Sequence, residues 1–141
     1  MNAINLVTLL QIAGLLHLGL ISAGITMPRA VNLAAHLDTL PQFIRRLVWV
    51  YYTFIGFCLL SFGAISFFYA ESLASGTPLA RALCGFLCGF WTIRLIVATF
   101  VFDVRPYLAN TFLRVGYHAT NLVFALLPLI YGWAALRGGI V

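Results

Sequence analysis

Four long apolar stretches run along the chain, divided by short joints that hold most of its polar residues. They cover about 3–27, 47–69, 78–102 and 115–136. Crossing the hydrocarbon core as a helix takes about 20 apolar residues, and about 25 residues at 1.5 Å each reach about 37 Å, enough to span with some tilt. The pattern predicts an all-α integral membrane protein, a four-transmembrane-helix bundle forming one membrane domain over 1–141. Pro28 is expected to end the first span. No Lys or Arg precedes that span, so it reads as a retained helix, not a secretory signal.

The joints carry their own signals. Between Pro28 and Leu40, Val31, Ala34, Ala35 and Leu37 mix with Arg29, Asn32, His36 and Asp38. That mixture predicts a short interfacial helix after the first span. Pro41 suits the first turn of the second helix, with Thr39 or Leu40 as its cap. Thr77-Pro78 predicts the start of the third helix, a hydroxyl cap followed by a proline whose missing N–H costs nothing there. Pro128 is expected to kink the fourth.

Composition fits this reading. Of 141 residues, 63% are hydrophobic and 8% are charged, against about 25% charged in soluble domains. The net charge of +5 comes entirely from arginine. No basic cluster is long enough to track phosphates, so nucleic acid is excluded as a partner. The arginines sort by side instead. Arg29, Arg45, Arg46, Arg105 and Arg114 fall on one face, and Arg81 and Arg137 on the face that holds both termini. The positive-inside rule then places both termini outside, in the periplasm of a bacterial inner membrane.

Small residues at a spacing of four predict close helix packing. Gly85 and Gly89 form a GxxxG pattern, and Gly19 with Ala23 repeats the spacing on the first span. These positions are expected to pack helices within the chain, or else to form a subunit interface. Cys58, Cys84 and Cys88 lie inside apolar stretches and read as small packing residues.

Three ionisable residues fall inside the spans: His17, Arg94 and His118. Such groups are expensive in hydrocarbon and mark candidate sites. His17 shares a helical face with Ala13, Gly14, Ile21 and Gly24, small neighbours that let a helix or a flat ligand come close. Arg94 shares its side with Leu87, Phe90 and Ala98, opposite Gly85. Measured from the terminal face, His17 lies about 20 Å deep, Arg94 about 24 Å and His118 about 27 Å. No Asp or Glu lies in a span, which disfavours a proton- or cation-coupled transporter.

Three readings of this constellation stay open. His17 and His118 as axial ligands, with Arg94 on a propionate, would hold haem b, although the pair differs by about 7 Å in depth. His17, Arg94, His118, Asn121, Tyr117 and Trp91 would alternatively line a pocket for a quinone or another small lipid-like molecule. The third reading is structural, each residue satisfying its own helix or a neighbour. The run Phe102-Asp103-Val104-Arg105-Pro106-Tyr107 is expected to be a turn with a helix cap, with Asp103 and Arg105 as the alternative partner contact. Catalytic motifs are absent.

In span number and length the chain resembles several groups of small bacterial membrane proteins, among them the DoxX-like group and respiratory membrane anchors. The likeness is architectural and carries no functional residue across. The expected function is that of a non-catalytic accessory, anchor or assembly subunit of a membrane complex. Its partners would be membrane lipids and other membrane protein subunits, or further copies of itself.

Overall fold

The computed structural model describes residues 3–101 and 110–137. Helices account for nearly all of them: α1 Ala3–Ala30, α2 Leu33–Asp38, α3 Gln42–Phe68, α4 Ala70–Ala74, α5 Pro78–Phe100 and α6 Thr111–Arg137. Four of these, α1, α3, α5 and α6, are long and apolar enough to cross a membrane. The chain is therefore an all-α, four-helix membrane protein. The 28 residues of α1 reach about 42 Å.

The helix boundaries follow local chemistry. Helix α1 runs through Pro28 and stops at Ala30, two residues beyond the expected end. Pro28 cannot donate to the carbonyl of Gly24, four residues back. The Tyr52 hydroxyl of α3 donates to that carbonyl instead, so α1 continues for two more residues. Asn32 then reverses the chain at φ 50°, in the left-handed region that Asn tolerates, and α2 begins. The short helix expected after the first span is thus present. Pro41, expected in the first turn of α3, stands one step earlier as its N-cap, with φ −51° and ψ 142°. Its carbonyl accepts from the Arg45 amide at 3.1 Å. Arg45 also pairs with Asp38 at 2.6 Å, an exposed contact worth little.

Thr77 caps α5 as expected, its hydroxyl accepting from the Ala80 amide at 3.3 Å with Pro78 in the first turn. One element was not anticipated. Helix α4 folds within the joint and buries Ala70 and Leu73. The spacing Ala70, Leu73, Ala74 is helical, but five residues are too few to show a period. Helix α6 runs unbroken through Pro128.

Helix α1 is central. It packs on α3, α4 and α6, while α5 packs on α6. Between α1 and α3 the backbones nearly touch. A Cβ on Gly14 would stand 2.8 Å from the Phe67 Cβ, and one on Gly63 would stand 2.9 Å from the His17 Cβ. Only a residue without a side chain fits at either place. Helices α3 and α5 meet through Phe62, whose ring lies 6.1 Å from Phe86 and 5.2 Å from Phe90.

The other glycines behave differently. Gly19, Gly85 and Gly89 have nothing within 4 Å of a Cβ, so they do not pack helices within the chain. The reason lies in α5, which turns Ala80, Cys84, Leu87, Trp91 and Ala98 inward. Gly85 and Gly89 occupy the opposite stripe and face outward. Ala23 is partly buried. Cys84 is buried in the core, Cys88 is half-buried with its thiol 3.3 Å from the Pro128 carbonyl, and Cys58 is exposed on the outer face of α3.

Several hydroxyls within the spans are satisfied by their own helix. Those of Ser22, Thr53, Ser61, Thr92, Thr99 and Thr120 each donate to the carbonyl four residues back. Their polarity is thereby hidden from lipid.

Candidate functional site

The buried polar centre forms where α1, α3, α5 and α6 meet. His17 of α1 is fully enclosed, as is Ser66 of α3. Tyr131 of α6 and Trp91 of α5 are buried beside them. Gly63 makes room for His17, because its missing side chain lets the imidazole stem lie against the α3 backbone. The helical face of α1 that carries Ala13, Gly14 and His17 admits a neighbouring helix, as its small residues implied.

The geometry is specific. His17 Nδ1 lies 2.7 Å from the Ala13 carbonyl. Its ring stands edge-on to Trp91, centroids 5.1 Å apart, and edge-on to Tyr131 at 6.3 Å. The Tyr131 and Ser66 hydroxyls are 2.5 Å apart, one donating to the other, and tie α6 to α3. Trp91 stacks on Phe124 at 5.7 Å and meets Phe90 edge-on at 5.3 Å. One turn beyond Trp91, the Arg94 guanidinium lies over the Phe124 ring at 4.8 Å. It is half-buried and satisfied in part by that aromatic face.

The predicted constellation therefore divides. The structure brings His17, Trp91 and Arg94 into one aromatic column. His118 it leaves elsewhere, exposed and touching its neighbour Tyr117 at 5.5 Å. Tyr131 marks the level of His17 on α6, and His118 is 13 residues from it in the chain. That separation is about 20 Å along the axis. One iron cannot touch both imidazoles, so His17 and His118 do not form a haem ligand pair. The expected depths failed because the ends of the spans are not level: α1 extends much further past His17 on the terminal side than α6 extends past Tyr131. Tyr117 and Asn121 are half-buried on the first half of α6, away from His17. Among the described residues, no three His, Cys, Asp or Glu side chains gather at one point. The run 102–107, with Asp103 and Arg105, lies outside the described residues.

Sequence reasoning missed Ser66 and Tyr131. The signal for Tyr131 was present: Phe124, Leu127, Tyr131 and Ala134 follow helical spacing, and all four are buried. Tyr131 also lies near the end of its span, where an aromatic ring with a polar tip fits the headgroup level equally well. Trp133, two residues on, is 38% exposed, with the Arg137 guanidinium 4.0 Å over its ring. For Ser66, one hydroxyl among several on α3, no pattern set it apart.

No protein-family model matches the chain, and no curated protein or solved structure matches it either.

Proposed function

We propose that this chain is a non-catalytic accessory, anchor or assembly subunit. In this reading it docks within the bilayer on another membrane protein, or on a second copy of itself, through the outer face of α5. The observation that supports this most directly is the outward GxxxG stripe. Gly85 and Gly89 stand one turn apart, exposed, with open space where side chains would be. Glycine weakens a helix by about 1 kcal/mol relative to alanine, and lipid tails gain nothing from its presence. A partner helix gains close backbone approach. Helix α3, in which only Gly63 and Ser66 are fully buried, leaves further surface for neighbours on the side turned away from α1.

The test is association. A Gly85→Ile, Gly89→Ile variant should keep its helix content and lose its oligomer or partner in cross-linking and native mass spectrometry. A wild-type chain that stays monomeric in bilayers and captures no membrane protein would sink the proposal. The sidedness belongs to the same reading: both termini periplasmic in a bacterial inner membrane. It is supported by Arg29, Arg45, Arg46 and Arg114 gathering at the end of the bundle opposite Arg81 and Arg137.

A further inference from the structure

The neutral imidazole of His17 has one tautomer available. A carbonyl oxygen only accepts, so Nδ1, 2.7 Å from the Ala13 carbonyl, carries the proton. Nε2 then presents a lone pair. Among the described residues no group donates to it, and the residue is fully buried. Trp91 is its complement. An indole Nε1–H only donates, no described group accepts from this one, and Trp91 is 1% exposed. The two rings adjoin, centroids 5.1 Å apart. An acceptor on α1 and a donor on α5 thus belong to two adjoining buried rings, and leaving either unanswered is costly.

The pair selects its ligand chemically. A bare carbonyl would answer Trp91 and leave His17 wanting. A metal ion would answer His17 and leave the indole proton wanting. A hydroxyl answers both. We propose that His17 and Trp91 form a two-point site for one hydroxyl group, whose proton goes to Nε2 while its oxygen accepts from the indole N–H. The hydroxyl belongs either to an internal water or to the head of a membrane-dissolved alcohol or phenol. The neighbours of the pair are aromatic: Phe124 stacks on Trp91 and Tyr131 lies edge-on to His17. On the lipid side of Trp91, Phe62 of α3 leans on Phe90 of α5, and Phe86 is 56% exposed. This site lies in the interior and is independent of the docking face on α5.

The experiment uses the full chain in lipid nanodiscs, with Trp49→Phe and Trp133→Phe so that Trp91 is the remaining indole. The probes are hexylphenol and its methyl ether, which lacks the donated proton. If the source is an amphiphile, hexylphenol shifts Trp91 emission and its indole proton resonance saturably. The ether then binds about tenfold more weakly or less well still, and His17→Phe abolishes the difference. If the source is water, neither probe acts, the indole proton cross-relaxes with water, and His17→Phe moves its resonance upfield. Equal response to both probes overturns the proposal. So does silence from both probes combined with no water contact. Should His17→Phe fail to fold, the imidazole nitrogen spectrum of the otherwise unaltered chain decides: Nε2 at the position of a free lone pair is also fatal.

Discussion

Tyr52 on α3 donates its hydroxyl proton to the Gly24 carbonyl on α1, the acceptor that Pro28 deprives of its helical amide. A break in one helix is thus mended by another, and the two are fixed in register. The coupling can be measured. Tyr52→Phe should destabilise the protein by about 1 kcal/mol. In a Pro28→Ala background, where an amide returns to serve Gly24, the same change should cost about half as much or less. A double-mutant cycle in a reversible detergent-unfolding assay reads this directly, and full additivity would show the two sites to be unlinked.

The glycines divide into two classes with opposite expectations. Gly14→Ala and Gly63→Ala place a Cβ under 3.0 Å from the facing helix. Each should force α1 and α3 apart and cost about 1–3 kcal/mol. Gly85→Ala and Gly89→Ala meet open space, and should leave the monomer's stability unchanged or raise it by up to about 1 kcal/mol. Thermal unfolding of the four variants in one detergent separates the classes.

Ser66 and Tyr131 act as a unit. Removing either hydroxyl breaks the same 2.5 Å hydrogen bond, so Ser66→Ala and Tyr131→Phe should each cost about 1–2 kcal/mol. The double variant should cost close to one of them, not the sum. A strictly additive pair would mean the bond contributes nothing of its own.

Sidedness yields to cysteine labelling. In a background with Cys58, Cys84 and Cys88 replaced, Ser75→Cys lies on the terminal side of the bundle and Thr39→Cys on the arginine-rich side. A membrane-impermeant maleimide added to intact bacterial cells should label the first and spare the second. The reverse pattern would turn the protein over.

Much of the architecture was legible before any coordinate. Long apolar runs fix the spans, because backbone amides in lipid have to bond within their own helix. Thr77-Pro78 marked a helix start through local capping chemistry. Helical spacing placed Arg94 on one side of α5 with Leu87 and Ala98; those two are buried in the structure and Arg94 is half-buried. Boundaries governed by another helix were not legible. Pro28 reads as a stop until Tyr52 supplies what it removes.

The candidate centre shows the same division. That His17 is anomalous follows from one imidazole in a run of apolar residues, since the cost of polarity in hydrocarbon is a property of residue type and depth. Its companions depend on how far each helix slides along its neighbours. A shift of one residue moves a side chain by 1.5 Å and 100°, and no periodicity within a single helix records that offset. The sequence by itself therefore determined four membrane-crossing helices and the presence of buried polar groups. Only the tertiary structure decided that His17 sits against Trp91 and Tyr131, with His118 about 20 Å away along α6. Gly14 and Gly63, at the crossing of α1 and α3, are what hold that arrangement in place.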